Sequence, residues 1–373
     1  MARNRVIYQS EALYVSDTAA SQVADYHSQL SRVQSANFSY TINRQDINQF
    51  GELARIDSII LDPPTVTTDF SYYLSNGFNE QALGFFVQTG AVAQKQFVSG
   101  HMVASSGKNV FIVTGPEGKD VNGAGAVGSD DHVIGIGNCY LSDYSVDLSV
   151  GAIPTVSVTM EGANVRGEID GGASIDTPAI DQENGTALTA GVALPPPVAS
   201  PGSGPTALRP GDILLDIGTI NGETLVDLTG DGNAHVQSVS ISVPLSRTPL
   251  QRLGSQFPFA REVDFPIDIS MSISALVNET EAYQLADELA QSEREINITI
   301  KDQAGAPAAQ YTLKGCKVDS ESYSSAIGSN QTVDITVSAQ IGGVDDTAAG
   351  LFMSGANTTV RSGFNGEDAG LNN

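Results

Sequence analysis

Polar and apolar residues alternate with a period of two along two stretches of the chain. In the first, Ala36, Phe38, Tyr40 and Ile42 interleave with Ser35, Asn37, Ser39 and Thr41. In the second, Val239, Ile241, Val243 and Leu245 interleave with Ser238, Ser240 and Ser242. Such alternation predicts strands with one packed face and one polar face. The stretches lie 203 residues apart (236 − 33): Val33-Gln34-Ser35 answers Val236-Gln237-Ser238, Arg44 answers Arg247 and Gly51 answers Gly254. The apolar phase is the same in both, and a slip of one residue would invert it.

A further strand follows in each half, at 66–74 and 267–273, where the separation drifts and suggests no common register. Apolar steps of three and four predict a helix over 279–289, with Glu279 and Glu281 near its positive end. Its counterpart at 79–86 is shorter and broken by Gly84. The closing strands repeat at a separation of 177: Cys139 answers Cys316, and Val156 answers Val333. The fall of 26 (203 − 177) places an insertion in 95–131, whose Gly-rich 122–128 reads as a long surface loop. The expected fold is mainly β, with two tandem antiparallel sandwich- or barrel-like units, each with a flanking helix. The first unit spans 1–165 and the second 209–345. A Pro/Gly/Ser-rich linker or surface loop fills 166–208, and 346–373 forms an extended tail.

Composition agrees with this picture. The 373 residues suffice for two cores, and 38 Gly, 16 Pro and no Trp favour strands and turns over long helices. The net charge of −25, from 43 acidic and 18 basic residues, argues against tracking of nucleic-acid phosphates and against an anionic membrane surface. It reads either as a solubility device or as a surface that must not adhere to a polyanion. The N-terminus has no continuous apolar segment of the signal-peptide kind, and no apolar run approaches the ~18 residues of a membrane span.

Chemistry-bearing motifs are sparse. Cys139 and Cys316 occupy equivalent positions at strand starts, which reads as two small buried side chains and not as a disulfide. His27, His101, His132 and His235 form no metal-ligand spacing. The calcium-loop-like Asp227–Asn233 stretch has Thr229 where the pattern has Asn or Asp and Ser238 where a bidentate Glu is needed, and reads as a hairpin turn. Gly135-Ile-Gly137 leads into strand-like residues, where a dinucleotide site needs a helix. No catalytic residue, metal site or cofactor is expected.

The strings Arg5-Val-Ile-Tyr-Gln-Ser-Glu-Ala-Leu-Tyr14-Val, Leu30-Ser-Arg-Val-Gln-Ser35, Ile42-Asn-Arg44, Phe50-Gly51 and Asp69-Phe-Ser-Tyr-Tyr-Leu-Ser-Asn76 resemble tail tube proteins of tailed bacteriophages. The likeness covers the first unit and reaches the second through the internal repeat. It implies two packed antiparallel sheets with a flanking helix, and subunits joined into rings that stack as a tube around a continuous β-barrel. The lumen would hold the tape measure protein and then pass DNA without sequence preference. Further partners would be tail terminator and baseplate or tip proteins, with no membrane. The chain would be made in the bacterial cytoplasm and reside in the virion tail. Two units per chain imply three chains per pseudo-sixfold ring. Ser35, Asn37, Ser39, Ser238, Ser240 and Ser242 are then candidates for a wet, acidic lumen wall. Alternatives are a terminator, baseplate or hub component of the same fold, or a secreted β-sandwich adhesin or glycan-active enzyme.

Overall fold

A computed structural model describes residues 11–17, 27–88, 94–103, 107–116, 120–122, 127, 131–169, 175–182, 185–189, 191–199, 208, 213–216, 234–254, 257–277, 293–328 and 330–356. The chain is mainly β, and its sheets are antiparallel. One sheet runs through most of the molecule. Its central part has eight strands in the order Val33–Thr41, Thr65–Tyr73, Thr155–Gly162, the second half of His132–Ser149, Ala234–Pro244, Asp268–Val277, Thr332–Gln340, and the second half of Pro307–Ser324.

The two 18-residue strands each serve two layers. The first half of His132–Ser149 pairs with Asn164–Ile169 and Lys108–Thr114, and Glu11–Asp17 and His27–Gln29 continue that layer. The first half of Pro307–Ser324 pairs with Gly350–Gly355 and Arg294–Lys301, followed by Ile213–Asp216. Each strand changes layer at a register shift, between Leu141 and Asp143 and between Val318 and Ser320. A bulge bends a strand and increases its twist, so the outer half folds back over the inner one. The apolar face of the central sheet is thereby buried: Phe70, Tyr72, Tyr144, Val146, Met271, Ile273, Ile335 and Val337 share one core with Leu13, Val15, Ile298 and Tyr311.

The first four central strands and the second four have the same register. Ser35 faces Ser71 and Ser238 faces Ser274; Val66 faces Gly162 and Ile269 faces Ala339; Tyr144 faces Val158 and Glu321 faces Ile335. The separation of 203 therefore holds through the second strand, where the sequence suggested drift. What is kept there is the face. Val66, Phe70 and Tyr72 correspond to Ile269, Ile273 and Ala275, and all six are buried.

Three boundaries differ from expectation. Residues 95–131 are not loop throughout, because they contain the Ser99–Val103 helix and the Lys108–Thr114 core strand, with Val110, Phe111 and Val113 buried; most of the Gly-rich 122–128 lies outside the described residues. Lys108 stands opposite Cys139 and Arg294 opposite Cys316, a separation of 186 (294 − 108). The extra length is thus divided between the two sides of this strand. Parts of the expected linker or surface loop at 166–208 are also packed, while its stretch at 200–207 lies outside the described residues. Asn164–Ile169 extends the first outer layer, and Ile175, Val192 and Leu194 cover it beside Tyr14, Phe111 and Val133. Gly137 is required by this covering segment, because a Cβ there would stand 2.2 Å from the Pro178 carbonyl oxygen. Finally, the expected tail begins with a strand, Gly350–Gly355, that closes the second outer layer.

The short helix Phe78–Leu83 ends at Gly84, whose φ of 98° is the left-handed stop expected from its position. The expected helix at 279–289 and the calcium-loop-like stretch at 227–233 lie outside the described residues.

Candidate functional site

All six polar residues singled out from the sequence lie on the same face of the central sheet, opposite the core. Ser35, Asn37 and Ser39 are on its edge strand, and Ser238, Ser240 and Ser242 are on the fifth strand, so three strands separate the groups. The Ser35 and Ser71 hydroxyls are hydrogen-bonded at 2.7 Å, and Asn37 Nδ2 donates to Asp69 Oδ2 at 3.0 Å. Between and beyond the two groups, ladder partners continue the surface. One row runs Ser35, Ser71, Ser157, Ser145, Ser242, Ser270, Ser338, Lys317. Asp69, Asp143, Asp147, Glu161, Asp268 and Asp334 share this face through the same registers. The result is a hydroxyl-rich, acidic surface spanning eight strands. Sequence reading missed the intervening members, although Ser270-Met-Ser-Ile-Ser274 carries the same alternation.

The two ends of this sheet are open. Among the described residues, Val33–Thr41 pairs on one side only, with Thr65–Tyr73, and the second half of Pro307–Ser324 pairs only with Thr332–Gln340. The core-side residues of the first edge are uncovered: Phe38 is 37% and Tyr40 63% exposed. Their counterparts Ile241 and Val243 are 1% and 0% exposed. The difference arises because Ala234–Pro244 is flanked by His132–Ser149, with Ile241 opposite Val146 and Val243 opposite Tyr144.

This junction between the halves is closed by polar groups as well. The Arg247 and Arg261 guanidinium groups lie over the Tyr140 ring, 5.3 and 5.8 Å from its centroid. Arg261 pairs with Glu161 at 3.2 Å, while Arg247 donates to the carbonyls of Arg261 and His101. With Ser142 and Ser246 they line a cavity of about 230 Å³. Deeper in the core, Tyr72 donates to Glu80 Oε1 at 2.9 Å, Tyr144 approaches the same oxygen at 3.4 Å, and the Tyr144 and Tyr311 hydroxyls meet at 2.8 Å. Burial pushes the Glu80 carboxyl above its usual range, against the pull of its hydrogen bonds.

Two hairpins, Arg44–Ile47 with Asp57–Ile60 and Arg247–Leu250 with Ala260–Val263, leave the central sheet at equivalent points. Their tips bear the fully exposed Phe50 and Leu253, each followed by a glycine at positive φ (Gly51, 93°; Gly254, 90°).

The histidines are dispersed. His27 and His101 are buried, His132 is half-buried and His235 exposed. Among the described residues no three His, Cys, Asp or Glu side chains gather as a metal site, and no helix is long and apolar enough to cross a membrane. Cys139 and Cys316 are buried free thiols, pushed by burial up to about 12 and about 11 respectively. Compared with known proteins, the chain matches no family model, and no curated protein matches it.

Proposed function

We propose that the chain is a tail tube subunit of a tailed bacteriophage, a structural protein of two tandem tube units that closes into rings and stacks into a DNA conduit. The observation that carries this reading is the contrast between Phe38 and Tyr40, exposed at an open strand edge, and Ile241 and Val243, buried at the equivalent strand inside the chain. A second copy covering the first edge would give it the environment its counterpart already has. It would also remove the unpaired edges that make long strands aggregate. Such an interface is head-to-tail, and it forms a ring when the rotation closes.

Three chains would contribute 24 strands. At a spacing of roughly 4.8 Å and a tilt of about 40°, they enclose a backbone barrel roughly 48 Å across. Sixteen- to eighteen-stranded barrels already leave an aqueous channel. The hydroxyl-rich, acidic face would line this channel. Lacking a basic track, it offers DNA phosphates few cations against which to release counterions, so passage is not opposed by adhesion. The tape measure protein would occupy the channel before ejection.

Negative-stain microscopy of the purified full chain tests the reading. Tubes with a regular axial repeat and three chains per ring are expected. Six chains per ring, or a chain that stays monomeric at all concentrations, would contradict it.

A further inference from the structure

The junction inside the chain and its two open edges correspond position by position. Subtracting 203 from Ala234–Pro244 gives the first edge strand, and adding 177 to the second half of His132–Ser149 gives the last. Inside the chain Ile241 stands opposite Val146, with Ser242 opposite Ser145 and Ser240 opposite Asp147. The same geometry between copies sets Phe38 opposite Tyr323 (241 − 203; 146 + 177), Ser39 opposite Ser322 and Asn37 opposite Ser324. Phe38 and Tyr323 are both exposed in the single chain, whereas the pair they replace is buried.

The polar closure changes under the same correspondence. Tyr140 becomes Lys317, Glu161 becomes Ser338, Arg261 becomes Ser58 and Ser246 becomes Asn43. The aromatic shelf and the second arginine are lost. What remains is Arg44 at the position of Arg247 and Asp319 at that of Ser142, two residues that line one cavity inside the chain. The Leu245 N–H donates to the Ser142 carbonyl at 2.9 Å, which fixes this corner of the junction. Arg44 and Asp319 are both exposed in the single chain, and neither forms an ion pair among the described residues.

We propose that copies of this chain join in the register that sets Phe38 opposite Tyr323, and that Arg44 of one copy pairs with Asp319 of the next. The partner is thus a second copy of the chain, and this inference rests on the ring reading above. It makes the two kinds of seam in a ring unlike. The seam within a chain adds stacking on Tyr140 and covalent continuity to its Arg261–Glu161 ion pair, whereas the polar closure between chains is the Arg44–Asp319 pair alone, which salt screens. Asp319 also offsets the repulsion between Arg44 and Lys317 at that seam.

The test uses full-length chain with Phe38→Cys and Tyr323→Cys, under mild oxidation. The native thiols, buried and with raised pKa, remain unreactive. Covalent closure to a trimer is expected, with little cross-linking in the register-shifted control Tyr40→Cys with Tyr323→Cys. Separately, Arg44→Glu and Asp319→Lys should each lower the assembled fraction about tenfold at low salt, since a modest loss is repeated at three seams. The double reversal should restore it. Rings that form normally in both single reversals, or that cross-link only in the shifted register, overturn the seam and leave the ring reading intact. A wild-type chain that never assembles overturns both.

Discussion

The hydroxyls of Tyr144 and Tyr311 meet at 2.8 Å in the core, joining a strand of the first half to a strand of the second. Tyr144 also approaches Glu80, which accepts from Tyr72. Four buried polar groups thus hold the halves in one arrangement, within walls that include Phe85 and Phe97. Removing one hydroxyl leaves the others short of a partner in a dry site. Tyr311→Phe should lower stability by about 1–2 kcal/mol, read from the urea midpoint, while leaving far-UV circular dichroism unchanged.

Glu80 makes the same cluster a source of pH dependence. Burial raises its carboxyl above the unfolded value of about 4.3, so the native state keeps a proton that the unfolded chain has released. Its contribution therefore falls as pH rises from about 4.3 through the folded value and is constant beyond it. A glutamine in its place has no proton to lose, and its side-chain oxygen would still accept from Tyr72. The stability of Glu80→Gln relative to wild type should climb across that window and then level off. His101, held neutral by burial and by nearby Arg247 and Lys108, acts with the opposite sign below about pH 6.5, and it cancels in the comparison. A difference that does not vary with pH would remove Glu80 from this role.

The polar face can be tested by charge. Ser71, Ser157 and Ser270 occupy one row across the central sheet, on the face opposite the core. If the chain is the tube subunit proposed above, replacing all three with Lys should leave ring assembly intact. In reconstituted virions it should slow genome ejection, with the delay relieved by raising salt. Ejection at wild-type speed from well-formed tubes would show that this face does not meet DNA.

Much of the central sheet was legible in the sequence, because period-two alternation reports directly which face is buried. The phase shared by Phe38 and Ile241 gave two strands and the face that each turns toward the core. Legibility ended where composition stood in for packing. Ile175, Val192 and Leu194 lie among prolines and glycines, so their segment read as a linker, yet each is buried against the first outer layer. Lys108–Thr114 was lost inside a Gly-rich neighbourhood although Val110, Phe111 and Val113 are core residues. The polar face was only partly visible. Ser145 and Ser157 join Ser242 in one row through pairings between strands distant in sequence, and a linear pattern has no record of such neighbours.

Because His132–Ser149 and Pro307–Ser324 each run unbroken from an outer layer into the central sheet, the two layers share backbone as well as packed side chains. A pull along either strand loads the ladder bonds on both halves in shear, where many must yield together and none can open singly as in a zipper. Torsion or stretch imposed on one layer is therefore delivered to the other through covalent bonds. In a filament built from such chains, wall and lining would flex as one material, and bending stiffness would depend on the intact lengths of these two strands more than on the softer contacts around them.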